Sequence, residues 1–142
     1  MLVEQIMTHG VDFIDRTATV QEAAQKMSGD NVGILPVFDG NFLVGVVTDR
    51  DITVRLVAKG LDPAHTSVSQ IMTHDIYFCR SSDTISKAAQ IMEEKQVRRL
   101  LVKDEYGHLT GIVSLADLAR AADENLTAEV LRRVTTPAHP RW

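Results

Sequence analysis

Two short stretches set a hydroxyl and a carboxylate at the same spacing. Thr48-x-x-Asp51 lies in GVVTDRDI (45–52), and Ser114-x-x-Asp117 lies in GIVSLADL (111–118). In both, a short apolar run of strand character precedes the hydroxyl and a helical pattern follows it. Where a strand gives way to a helix, free backbone N–H groups and the positive end of the helix dipole suit an anion. The Thr48 hydroxyl can donate to a phosphate oxygen. Asp51, one turn on, accepts hydrogen bonds only and can take the vicinal hydroxyls of a ribose. Both stretches also match the capping box, in which the hydroxyl and the carboxylate satisfy each other's backbone N–H. Spacing alone favours the cap.

The rest of the chain offers little other chemistry. Ser81, Ser82 and Cys79 lie near no histidine that the sequence can place, so no nucleophile, base and orienter come together and no catalysis is expected. His9 and His74 recur at equivalent places, but no Cys–His or His-x-x-x-His spacing accompanies them, and no metal is expected. Met7, Met27, Met72 and Met92 fall at apolar positions and read as core filling. Cys79 has no cysteine to pair with in the chain, so it reads as a small buried strand residue in a reducing, cytoplasmic setting. An intermolecular disulfide stays open.

The 142 residues, 44% hydrophobic and 24% charged, suffice for one ordinary domain or two very small ones. A net charge of −4 without a basic stripe argues against nucleic-acid binding. No apolar run reaches membrane-span length, and the N-terminus lacks the pattern of a signal peptide.

The elements that must position the two motifs come from an internal repeat. IMTH at 6–9 returns at 71–74, an offset of 65, which carries through Val20/Ile85, Ala23/Ala88, Met27/Met92 and Val37/Val102. After one extra residue near Tyr106 and Gly107 the offset becomes 66, pairing Gly45 with Gly111 and Asp51 with Asp117. Each copy reads as strand (11–15; 76–80), helix capped by Thr19 with Glu22 or by Thr84, hairpin (34–38 and 43–48; 99–103 and 109–113), and second helix (49–58; 115–122). Gly29 and the following Asp30 and Asn31 are expected to stop the first helix. Two β-α-β-β-α units of this size would bury their faces together, which gives an α+β fold of two repeats packed by pseudo-twofold symmetry. The expected division is 1–62 for the first repeat with the start of a linker, 63–124 for the second, and 125–142 for a short helix and flexible tail. In that helix Leu126, Val130, Leu131 and Val134 share one side.

The IMT before each copy, LPV at 35–37, GVVTDRDI and GIVSLADL together resemble the CBS-domain family, as a tandem pair over about residues 3–122. The resemblance implies a regulatory module without catalytic activity. Such pairs bind adenine nucleotides or other adenosyl compounds in two clefts between the repeats, need no cofactor, and often dimerise. Carried over, one site would combine Thr48 and Asp51 with Ile76, Tyr77, Arg98 and Arg99. The other would combine Ser114 and Asp117 with Val11, Asp12, Gly33 and Ile34. Two guanidinium groups suit phosphate, so the first is expected to take AMP, ADP or ATP. The second carries Asp12 instead and is expected to be empty or to hold an uncharged or cationic compound. Arg98 and Arg99 also read as a solvated corner or as partners of Glu93 and Glu94. Leu101 stands where the first copy has Pro36.

The alternative is a ligand-independent dimerisation or docking module for an unidentified protein effector. Its interface would be Ile52, Leu56, Leu118 and Ala122.

Overall fold

The computed structural model describes residues 1–122 and 124–135, with side chains of the last helix from residue 128 onward. The side chain of Leu126 and the tail at 136–142, including His139, lie outside what is described. The chain forms two compact units, Asp12–Ile76 and Met1–Val11 with Tyr77 onward. This cut is offset from the sequence repeat by its first eleven residues, and the reason is local.

In the unit Asp12–Ile76, β2 (Ile14–Asp15) is parallel to β3 (Ile34–Asp39), which is antiparallel to β4 (Phe42–Thr48). The helix α1 (Val20–Asp30) crosses between β2 and β3. Its predicted capping box is formed: the Glu22 amide donates to Thr19 Oγ1 at 3.1 Å, and the Thr19 amide donates to Glu22 Oε2 at 3.0 Å. Gly29 and Asp30 remain inside the helix, which closes on Asn31 in the left-handed region at φ 54°. Asn tolerates that conformation through its short polar side chain. Val20, Ala23 and Met27 enter the core with Leu35, Val37, Val47 and Leu56, while Ala24 stays exposed.

The other unit repeats the plan with β5 (Phe78–Arg80), α3 (Ile85–Lys95), β6 (Arg99–Lys103), β7 (Leu109–Ser114) and α4 (Leu115–Ala121). Its core joins Cys79, Ala88, Met92, Leu100, Val102, Val113 and Leu118. A further helix, α5 (Glu124–Thr135), packs on α3 and α4 and buries Val130 and Val134. Leu131, expected on the same side, is 40% exposed.

The Pro36/Leu101 difference has a local effect. Leu101 N–H donates to Tyr77 O at 3.0 Å, extending the parallel ladder of β5. Pro36 has no N–H to give at the equivalent place, and β2 pairs over two residues where β5 pairs over three. The antiparallel register is the same in both copies: Pro36 faces Val46 as Leu101 faces Ile112.

The IMTH segments explain the offset units. Residues 6–9 bring β1 (Thr8–His9) onto β7, with Thr8 opposite Ile112 and His9 opposite Gly111. The later copy lies on β4, where Val46 and Thr73 exchange both backbone bonds at 2.9 and 2.7 Å. So the segment preceding the second repeat completes the first repeat's sheet, and the chain's opening segment completes the second's. Glycine is required at both crossings. A Cβ on Gly45 would stand 2.6 Å from Thr73 O, and one on Gly111 would stand 2.5 Å from Thr8 O.

Candidate functional site

Each hydroxyl–aspartate pair sits at the end of its hairpin, and each forms the capping box. The Asp51 amide donates to Thr48 Oγ1 and the Thr48 amide to Asp51 Oδ2, both at 3.0 Å. The Asp117 amide donates to Ser114 Oγ at 3.1 Å and the Ser114 amide to Asp117 Oδ2 at 2.8 Å. The helices they open are short. α4 has two turns, and after Asp49–Asp51 the first repeat passes into a π-helical stretch, Ile52–Val57. Little macrodipole accumulates over so few residues, so side chains rather than the helix must hold an anion here.

The two carboxylates differ in their further partners. Asp51 is buried, and Thr73 Oγ1 lies 3.0 Å from both its oxygens. Arg55 Nε stands 3.8 Å from Oδ1, while its guanidinium donates to Met72 O at 2.9 Å. This carboxylate is committed within its own unit. Asp117 is half-buried, and among the described residues its side-chain partner is the Arg120 guanidinium at 2.6 Å, whose side chain is 73% exposed. Thr8, the counterpart of Thr73, is exposed.

The hairpin register decides which neighbours each motif has. Ile34 lies opposite Thr48, and Gly33 O accepts from the Asp49 amide at 3.0 Å. Arg99 lies opposite Ser114, and Arg98 O accepts from the Leu115 amide at 2.8 Å. Within their own unit the hairpin sets both arginines beside Ser114, because antiparallel pairing brings a strand's first residue to its partner's last. Both arginines are exposed, and among the described residues neither guanidinium has a side-chain partner, Glu93 and Glu94 included.

The remaining candidates are spread more widely. Asp12, before β2, binds Lys26 at 3.3 Å and the Phe13 amide at 2.9 Å. Desolvation pushes its carboxyl upward, but these two donors outweigh that and hold it below the ordinary carboxylate value. Ile76 and Val11 are half-buried at the ends of their segments. Tyr77 is half-buried, with Lys95 Nζ 5.6 Å from its ring centre. An open groove along α1 is lined by Phe13, Asp15, Glu22 and Lys26, and neither Thr48 nor Asp51 lines it. Among the described residues no group of three or more His, Cys, Asp or Glu is placed to hold a metal.

Sequence reasoning missed Thr73 and Arg55. A signal for Thr73 was present, since IMTH recurs as a motif, but its partner is distant in sequence. Leu56 and Leu118 correct the expected docking face: both are core residues, at 3% and 2% exposure, so neither can form an interface. Along the helical stretch after Thr48 and just beyond it, the apolar residues that do face outward are Val54, Val57 and Leu61; Phe13 and Phe42 are exposed elsewhere in the same repeat.

Two β-α-β-β-α copies that exchange their leading segments and end each hairpin on a hydroxyl–aspartate cap define a tandem pair. The CBS-domain family matches this chain twice, at residues 3–58 and 68–124, and the chain belongs to that family. It is 35% identical over 133 residues to Hypoxic response protein 1 of Mycobacterium tuberculosis, covering 93% of this chain and 92% of that protein. Among solved structures, Hypoxic Response Protein I with two coordinated zinc ions is similar at 36% identity and a TM-score of 0.70, covering 86% of this chain and 99% of that one. CBSX2 in complex with AMP is similar at 29% identity and a TM-score of 0.68, covering 90% and 98%. Among the described residues no helix is long and apolar enough to cross a membrane.

Proposed function

We propose that this chain is a non-catalytic regulatory module that binds an adenosyl ligand, with AMP, ADP or ATP held at the end of the second repeat. The observation that carries the reading is the set Arg98, Arg99, Ser114 and Asp117 at one end of a single hairpin. Two guanidinium groups without side-chain partners among the described residues suit phosphate oxygens by paired hydrogen bonds. The Ser114 hydroxyl can donate to a phosphate while accepting from the Asp117 amide. The Asp117 carboxylate can take ribose hydroxyls once the exposed Arg120 swings aside. The complex of the similar CBSX2 with AMP supports the ligand class.

The first repeat's motif has a committed carboxylate, and its Arg55 is engaged on Asp51 and Met72. Within this proposal Thr48 and Asp51 take an uncharged or cationic adenosyl compound, or none. Val11, Asp12, Gly33, Ile34, Ile76 and Tyr77, implied by the family resemblance, would supply apolar and main-chain contacts to base and sugar.

The test is a thermal-shift screen of the purified protein against AMP, ADP, ATP, NAD, S-adenosylmethionine and adenosine. A ligand at about a hundred times its dissociation constant stabilises by about 2.7 kcal/mol, a rise of several degrees for a domain of this size. Phosphorylated ligands should shift the protein and adenosine should not, and Arg99→Ala should erase the difference. No shift with any compound overturns the reading.

A specific observation favours a second reading, a docking or homodimer module in the cytoplasm. Val54, Val57 and Leu61, at 46%, 64% and 44% exposure, follow one another along the second helix of the first repeat and beyond it. Sedimentation that stays dimeric in the wild type and turns monomeric in Val57→Asp would support it. A monomeric wild type would end it.

A further inference from the structure

The second repeat carries an element that the first lacks. α5 lies on α3 and α4, and its seat is specific to that copy. Leu115, Leu118 and Ala119 line a small apolar gap with Ile85, Ala89 and Val130. The positions equivalent to Leu115 and Ala119 in the first repeat are Asp49 and Thr53, both exposed. In the second copy this face of α4 is therefore apolar where α5 rests.

The same short helix begins at the candidate site. Leu115 follows Ser114 directly; its amide is bound to Arg98 O while its side chain faces the gap under α5. Leu118 follows Asp117, is 2% exposed, and also lines that gap. The first turn of α4 is held by the two bonds between Ser114 and Asp117. A ligand whose phosphate takes the Ser114 proton and whose ribose displaces Arg120 from the Asp117 carboxylate draws on the same two side chains that hold this turn. Because α4 has only two turns, its first turn cannot shift without moving Leu115 and Leu118.

We propose that α5 is the output element of the second-repeat site, and that ligand at Ser114 and Asp117 releases it from α3 and α4. The inference rests on the ligand reading above. Among the described residues, α5 is held by buried Val130 and Val134, the Arg133–Glu93 pair at 3.5 Å, and Gln96 Nε2 donating to Arg133 O at 3.3 Å. An element at the end of the chain can open locally without unfolding the rest of its unit. Its release would bare the apolar face of α3 and α4 for a partner.

The test is amide hydrogen exchange of the full-length protein with and without saturating ADP, or AMP where ADP gives no thermal shift. Exchange in peptides spanning 124–135 should quicken about fivefold or more, the usual lower bound for coupled sites. Coupling is reciprocal, so Val134→Ser, which weakens α5 docking, should bind the same nucleotide more tightly, by up to the same factor when the substitution leaves α5 undocked. If Val134→Ser fails to fold, Val134→Ala replaces it. Unchanged or slower exchange in a protein that does bind nucleotide overturns the coupling and leaves the ligand reading standing. No binding of either nucleotide overturns both.

Discussion

Thr73→Val tests whether the later IMTH segment is part of the Asp51 site or merely rests beside it. The substitution keeps the shape of the side chain and removes one hydroxyl. In the native protein that hydroxyl lies 3.0 Å from each oxygen of a buried carboxylate. It has one proton to give, so the loss amounts to one hydrogen bond to a charged group, worth about 1.5–3 kcal/mol. The Thr48 amide at 3.0 Å and Arg55 at 3.8 Å remain, which places the expected loss near the lower end, at about 1.5–2 kcal/mol. For a protein of this size that lowers the melting temperature by roughly 3–8 °C. Thr8→Val is the internal control. Thr8 is exposed and Asp117 takes Arg120 instead, so its effect should stay within about 0.5 kcal/mol. Urea unfolding of both variants, with Asp51→Asn and the Thr73→Val/Asp51→Asn double variant, isolates the pairwise energy. A Thr73→Val cost below about 0.5 kcal/mol, or one equal to that of Thr8→Val, refutes the assignment.

Gly45→Ala and Gly111→Ala should each destabilise by about 1–3 kcal/mol, because the added methyl meets a backbone carbonyl that can yield only by moving the IMTH segment. Limited proteolysis should then cut near 71–76 in the first variant and near 1–11 in the second; wild-type cleavage patterns would contradict the exchange of segments. The Cys79 thiol is pushed up to about 12 from its ordinary 9.0, by burial first and by the charge of Asp83 second. A thiol-specific reagent at pH 8 should therefore modify the native protein far more slowly than the urea-unfolded one, and equal rates would place Cys79 at the surface. The raised value also has a linkage sign. The contribution of Cys79 to stability is full below pH 9.0 and is lost as pH rises toward 12, visible as alkaline destabilisation that Cys79→Ala reduces.

Local signals in the sequence carried a large part of the fold. The capping box at Thr19 and Glu22, the apolar stripe Val20, Ala23 and Met27, and both hairpins depend on residues a few positions apart, and periodicity reports such contacts directly. The repeat offset was legible because every unit built on that plan needs the same residue types at the same steps. The hydroxyl–aspartate spacing was legible as well: spacing alone favoured a cap over a ligand contact, and the cap is formed in both copies.

Tertiary structure decided the rest. Nothing within a few residues of Gly45 says that Thr73 O crosses it, and nothing near Asp51 announces the Thr73 hydroxyl on its carboxylate. Antiparallel register set Arg98 and Arg99 beside Ser114 within their own unit, a neighbour that the residue pattern around them does not announce. A stretch of π-helix and a core position removed Leu56 from any interface, and α5 took the apolar face of the second repeat alone. Sequence pattern records which side of an element is apolar. Which distant segment covers that side is settled by sheet register and close packing, which act between residues that the pattern cannot connect.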